Sequence, residues 1–436
     1  MSEFTPPLRQ AVDTLAARSP SPDFGELKRR ATRRGRRRVA LVAAAAVAVI
    51  AGSALVGTDL MVTDGTGPVV QPNLTLQPAP APNGWVAVEA SEAGGDIYLA
   101  RPGDDPRRLQ IAGSDGAHDS CPAWSPDGTR LLFGRVTGPH PTSSASNEPE
   151  LVIVRVGQNG IVGTPTVIGL DDFEVLEGFD PHPCGIWAPD GRWVAFAGTG
   201  EVWVVDTQTG AIRHLPDLRP SDLEWRPGTD ELTIAGDMGT NRGAETLSTP
   251  VTVYSVSTGE LRQLGSVEAA HFTWSPDGAY LASTGGERDT QELEIVNGDG
   301  TNERSLVADI GHAVHGIGPV WSPTGDRIAY QRCVGGLDVS CSGERHEVVL
   351  VNVTDGTEKV IEPPKADGHE WYPFTVSWSP DGTMLLYAAW TQVSDGVIAV
   401  PADKPSDVTV LIHSVDSIDY NSHQWAAIQM WGRQPG

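Results

Sequence analysis

From residue 84 onward the hydrophobic positions fall in short runs of strand length, separated by clusters of Pro, Asp, Gly and Asn. One unit recurs. Trp124-Ser125-Pro126-Asp127-Gly128-Thr129-Arg130-Leu131-Leu132-Phe133 ends one apolar run on an aromatic, turns through Pro-Asp-Gly and starts a second run. Further copies begin at Trp187, Trp225, Trp274, Trp321 and Trp378. Pro presets φ for the turn, Asp bonds the turn backbone and Gly takes the positive φ that other residues resist, so each copy predicts a β-hairpin. A second pair of runs follows the hairpin, as in 201–206 with 210–215, 251–256 with 259–264, 293–296 with 304–307, and 348–353 with 358–361. Aromatic and β-branched residues fill them, as strands require. The unit is therefore four strands. Spacing between the motif tryptophans runs from 38 to 63 residues, so the strands are constant and the connections vary. That pattern predicts an all-β propeller rather than a sandwich.

Blade number turns on the two ends. Gly84 to Ala90 aligns with Gly191 to Ala197, the second strand of a unit, but its own first strand is missing upstream. His423-Gln424-Trp425-Ala426-Ala427-Ile428 is a first strand without its blade. Joining the two completes a seventh blade and removes exposed sheet edges. Seven blades are expected, with six as the alternative.

The Trp-Ser-Pro-Asp-Gly repeat, with the strand Asp96 to Leu99, resembles that of the TolB-type periplasmic propellers, over residues 84 to 431. That resemblance implies a propeller fold and leaves function open, since such propellers include binding modules and the non-catalytic domains of peptidases. Two features depart from it. TolB-type propellers are usually six-bladed, and the repeat at Trp225 reads Arg226-Pro227-Gly228 where Ser-Pro-Asp is expected.

Net charge is −25, but it is unevenly placed. Residues 1–38 hold ten basic and four acidic side chains, leaving 21 basic against 52 acidic, a balance of −31, in the remainder. Between them, residues 39–57 carry no charge and follow Arg33-Arg34-Gly35-Arg36-Arg37-Arg38. Nineteen residues make roughly 28 Å of helix, about the thickness of a bilayer core. Arginines hold the amino side in the cytoplasm, which places the propeller outside. The expected organisation is a cytoplasmic basic tail (1–38), a single transmembrane helix (39–57), a Pro/Gly-rich linker (58–83) and an extracytoplasmic propeller (84–431) closed near Trp425. A buried soluble helix and a cleavable signal peptide are the alternatives for 39–57. In the tail, Leu8, Val12, Leu15 and Ala16 fall at helical spacing, and a disordered tail touching lipid headgroups is the plainer reading. Only four lysines stand against 27 arginines, as in a GC-rich bacterial genome. The tail, arginine block, span and outer domain together resemble the membrane-bound regulators of sigma factors in actinobacteria, without the zinc-binding His and Cys pattern of many of them.

All four cysteines lie beyond the span, on the oxidising side by this topology. Cys333 with Cys341 would close a short loop worth roughly 2.5 kcal/mol. Cys121 and Cys184 each stand three residues before a motif tryptophan, in equivalent places on adjacent blades, and bridge if their Cα atoms come within about 7 Å. Seven histidines, His118, His182, His271, His312, His315, His369 and His423, fall in segments leading into the motif tryptophans. In a propeller these segments emerge on one face, where they, with Asp119, Asp180, Asp222 and Glu370, form a candidate ligand or partner face. The plainer alternative is that they lock the blades by bonding backbone or aspartate. Trp124, Trp187, Trp225, Trp274, Trp321, Trp378 and Trp425 are expected to pack the core between blades.

No Gly-x-Ser-x-Gly elbow, Lys-bearing phosphate loop or Cys-x-x-Cys spacing occurs, so no catalytic residue, cofactor or metal is assigned. The negative outer domain argues against nucleic acid. The leading expectation is a non-catalytic, membrane-anchored scaffold binding a protein or cell-envelope component. A transmembrane regulator of sigma-factor type and a metal-dependent hydrolase or lyase on the histidine face are the alternatives.

Overall fold

The chain divides into two units, 1–70 and 71–436. The computed structural model describes residues 83–90, 96–109, 111, 117–137, 149–157, 160–170, 184–198, 200–236, 249–269, 271–287, 290–310, 318–334, 345–366, 368–390, 395–413 and 431–433, all in the second unit. The expected span at 39–57 lies outside them, and no described helix is long and apolar enough to cross a membrane.

Seven four-stranded antiparallel sheets make a seven-bladed propeller. The first strands of blades 2 to 7 are Ala117–Trp124, Ile186–Trp187, Asp222–Trp225, His271–Trp274, Val320–Trp321 and Tyr372–Trp378. Neighbouring first strands touch one another, so they form the inner ring and line the axis. In blade 1 the inner place is taken by Trp431–Arg433, which pairs with Asn83–Ala90 through Asn83 with Arg433 and Val86 with Trp431. The ring thus closes six residues beyond Trp425, which lies outside the described residues. Asn83 adds a second closure. It donates to the Asp381 carboxylate (2.9 Å) in blade 7 and accepts from the Asp381 N–H (3.1 Å).

The core lies between blades. Ala123, Leu132 and Leu151 of blade 2 pack with Trp187, Phe196 and Trp203 of blade 3, and the other interfaces follow the same plan. No blade buries its faces alone, which is why the repeat is needed at all. Trp124, Trp187, Trp225, Trp274, Trp321 and Trp378 are all buried in these layers.

Hydrogen bonding explains the Ser-Pro-Asp-Gly turn. Ser125 Oγ donates to Asp127 (2.5 Å) and accepts from the Arg130 N–H (3.0 Å), while Asp127 accepts from the Thr129 N–H (3.1 Å). Ser275 with Asp277 and Ser379 with Asp381 repeat the pattern. Glycine is required at position 278: φ is +66°, and a Cβ there would stand 2.4 Å from the Pro227 carbonyl oxygen of blade 4.

Candidate functional site

The inner strands have a hairpin end, after each motif tryptophan, and a mouth end, before it. At the hairpin end the same latch recurs between blades. Arg130 lies over Trp187 of the next blade (4.6 Å to the ring centroid) and donates to the Gly191 carbonyl (2.5 Å). Arg327 does the same over Trp378 (5.0 Å) and to Gly382 (3.4 Å). The tryptophans answer in the other direction. Trp187, Trp225 and Trp378 donate from Nε1 to the carbonyls of Ala123, Ile186 and Val320 in the preceding blade, at 3.1, 3.2 and 3.1 Å. Neither latching arginine was singled out from the sequence, although Arg130 and Arg327 each stand six residues after their own blade's tryptophan.

At the mouth end, among the described residues, the side chain at one repeat position varies along the ring. The residues three before each motif tryptophan are Cys121, Cys184, Asp222, His271, Gly318 and Thr375. Cys121 and Cys184 are joined in a disulfide, with Cα atoms 5.1 Å apart, tying blade 2 to blade 3. The Cys121 N–H donates to Glu89 of blade 1 (3.0 Å). Cys333 is in a described strand and Cys341 lies outside the described residues.

Two places on, Asp222 and His271 tie blade 4 to blade 5. His271 Nδ1 lies 3.5 Å from Asp222 Oδ2, and the Phe272 N–H donates to the same carboxylate (3.0 Å). Gly318 of blade 6 closes on this pair, its missing Cβ position 2.9 Å from His271 Cβ. Glu224 stands beside Asp222 on the same face of its strand and accepts from the Trp274 N–H (3.0 Å). These carboxylates satisfy amides on the free edge of the next inner strand, groups that a sheet edge otherwise leaves unpaired. Removal from bulk water, reinforced by the charge of Asp222, pushes the Glu224 carboxyl well above the usual carboxylate range, against the pull of its hydrogen bonds from Trp274 and Thr273. Glu224 was missed in the sequence, yet Asp222-Leu223-Glu224-Trp225 alternates and so places both acids on one face.

Of the other candidate residues, Asp119 is 2% exposed and takes a bidentate pair from Arg135 on the neighbouring strand, at 2.6 and 2.8 Å. His118 precedes it, half-buried, opposite Val136. His369 and Glu370 stand apart from the inner ring, on a two-stranded ribbon formed by Lys365–Ala366 and His369–Glu370 between blades 6 and 7. His369 is exposed, and Glu370 pairs with Lys365 at 2.8 Å. His182, His315, Asp180, His312 and His423 lie outside the described residues. Among the described residues no group of three His, Cys, Asp or Glu side chains is placed to hold a metal ion.

No protein-family model and no curated protein matches the chain. Solved structures similar to it include the oligogalacturonate lyase of Vibrio parahaemolyticus, 12% identical over 75% of this chain and 91% of that one with a TM-score of 0.50. TolB of Acinetobacter baumannii is 15% identical over 78% of this chain, with a TM-score of 0.42, and the match spans 65% of the TolB chain. The acylaminoacyl peptidase of Pyrococcus horikoshii is 14% identical over 70% of this chain and 47% of that one, with a TM-score of 0.47. At these identities the likeness concerns fold alone.

Proposed function

We propose that the chain is a non-catalytic, membrane-anchored propeller carried outside the cytoplasm, where it recognises a protein or cell-envelope component through the mouth-side connections between its blades. The observation that carries this reading is the contrast between the two ends of the ring. The hairpin end uses the same arginine latch between blades 2 and 3 and between blades 6 and 7, whereas at the mouth end the position three before the motif tryptophan carries a cysteine pair in blades 2 and 3, then Asp222, His271, Gly318 and Thr375. A rigid repeat holding divergent connections is how a scaffold presents a recognition surface. The disulfide and the uncharged stretch 39–57 behind its arginine block support an oxidising, extracytoplasmic location.

Lysine labelling tests the location. Lys359, Lys365 and Lys404 lie in the propeller and Lys28 in the tail. A membrane-impermeant amine reagent applied to intact cells should label the first three and spare Lys28; labelling only after lysis would count against the topology. For recognition, a photo-crosslinker at position 369 should capture a discrete partner that one at Ile212, on an outer strand, does not. Equal capture at both, or none, would remove the mouth-side reading.

A second reading is favoured by the basic tail with its helical spacing of Leu8, Val12, Leu15 and Ala16: binding outside is reported to a cytoplasmic regulator of sigma-factor type. Deleting residues 1–30 then changes gene expression, and an unchanged transcript profile rejects it.

A further inference from the structure

The geometry points to a second role for the Cys121–Cys184 disulfide: it is a reducible clasp that holds the mouth of blades 2 and 3 shut while the rest of their interface stays tied. The two cysteines stand three residues before the motif tryptophans of adjacent blades, and the interface they bridge is fastened independently at its other end. There Arg130 covers the Trp187 ring and bonds Gly191, Trp187 bonds Ala123, and the apolar layer of Leu132, Leu151, Phe196 and Trp203 lies between. None of these ties involves sulfur. Breaking the bridge therefore removes the covalent tie at one end of the interface and leaves the ties at the other.

Cys121 is held in a conformation it would not choose. Its φ is +53°, in the left-handed region that disfavours any residue with a Cβ, and the pairing register of its strand shifts between Ser120 and Ala123. With the bridge gone, Cys121 can return to extended backbone, and its N–H then turns away from Glu89 in blade 1. A local cut thus propagates to three blades at the mouth. On the other side, Cys184 stands two residues before an inner strand of only two residues, Ile186–Trp187, so little ladder pairing replaces the lost tie.

The two sulfurs differ in access. Cys121 is fully buried and Cys184 half-buried, so an incoming thiolate reaches the bridge from the Cys184 side. The reductant is a dithiol. One thiolate attacks Cys184 Sγ, forming a mixed disulfide and releasing Cys121 as a thiolate that takes up a proton. The second thiol of the reductant then displaces Cys184, which leaves as a thiol, and the reductant ends as its own disulfide. Two electrons and two protons pass to the protein.

Hydrogen exchange read by mass spectrometry on the full chain in detergent tests this, with the bridge followed by intact mass. After incubation with a dithiol under native conditions, amides in 117–123 and 184–188 should exchange about tenfold faster. Blades 4 to 7 should be unchanged, and reoxidation should restore protection. The Cys121→Ser/Cys184→Ser variant should show the faster pattern with and without dithiol; should it fail to fold, the dithiol arm on the wild-type chain decides alone. The proposal is overturned if the bridge survives the native incubation, if its loss leaves exchange at the mouth unchanged, or if exchange rises throughout the ring. This test uses no partner, so its failure leaves the proposed recognition role standing.

Discussion

Arg226 lies over the ring of Trp274, 4.7 Å from its centroid, and donates from Nε to the Gly278 carbonyl at 2.9 Å. Arg226 stands directly after Trp225, where four of the other five repeats carry serine and that at Trp187 carries Ala188, while Arg130 and Arg327 stand six residues after their tryptophans. At that sixth position blade 4 carries Glu231, which pairs with Arg226 at 3.0 Å. The irregular turn Arg226-Pro227-Gly228 therefore delivers the same inter-blade latch from a different backbone position.

Replacing Arg226 by Ala should lower stability by about 1–3 kcal/mol, from the lost cation–π contact and charged hydrogen bond. Arg226→Lys should recover less than half, because an ammonium lacks the planar fork. Adding Glu231→Arg to Arg226→Ser restores the arrangement of blades 2 and 6 and should regain part of the loss. Urea unfolding of the four proteins measures this, and equal midpoints for the alanine variant and wild type would dismiss the latch.

The motif tryptophans should not respond alike to Phe. Trp378 donates to Val320, whereas the indole nitrogen of Trp321, equally buried, finds no acceptor among the described residues. Trp378→Phe leaves a buried carbonyl without its donor and should cost about 1 kcal/mol more than Trp321→Phe. Thermal midpoints of the two variants, compared directly, carry the test.

Two turn glycines separate conformation from crowding. Gly228 has φ +73° with nothing within 4 Å of a Cβ, so Gly228→Ala should cost about 1–2 kcal/mol for the left-handed backbone alone. Gly278→Ala adds the clash with the Pro227 carbonyl and should cost at least about 2 kcal/mol more. Similar losses at both sites would show that blade 4 yields freely.

Acid should weaken the ring through its turn aspartates. Burial by itself raises the carboxyls of Asp127, Asp326 and Asp381, but hydrogen bonds from Ser125, Thr324 and Ser379 outweigh it and hold each below its ordinary value of 3.8. A carboxyl depressed in the folded state stabilises above its unfolded value, and that contribution is lost as pH falls through the folded one. Thermal midpoints should therefore drop below about pH 4. In Asp127→Asn/Asp326→Asn/Asp381→Asn the drop should be shallower, from a lower start at pH 7.

Glu224 works with the opposite sign. Its carboxyl is raised in the folded state, so its favourable contribution is present below the unfolded value of 4.5 and lost as pH rises through the folded one. Glu224→Gln keeps an acceptor for the Trp274 N–H without the charge. It should be more stable than wild type at pH 8 by about 1–2 kcal/mol, the gap closing toward pH 4. A variant less stable at both pH values would reverse this assignment.

Much of the architecture was legible because its causes are local. Pro-Asp-Gly turns, a tryptophan at the end of each inner strand and apolar runs on either side are properties of ten-residue windows, so strand order within a blade follows from them. The closing strand was harder to place. His423 to Ile428 carries the expected pattern, whereas the pairing observed uses Trp431–Arg433, and choosing between them depends on the geometry of Asn83–Ala90, some 340 residues away in sequence.

The mouth shows the same division. Sequence alone established that Cys121, Cys184, Asp222 and His271 share one position in successive repeats, since the distance to the next tryptophan is a count along the chain. Only the tertiary structure decided what they do there. Packing of neighbouring blades around the inner ring brings Cys121 to Cys184 and Asp222 to His271. Those outcomes depend on how neighbouring blades pack against each other, and no single repeat contains that information.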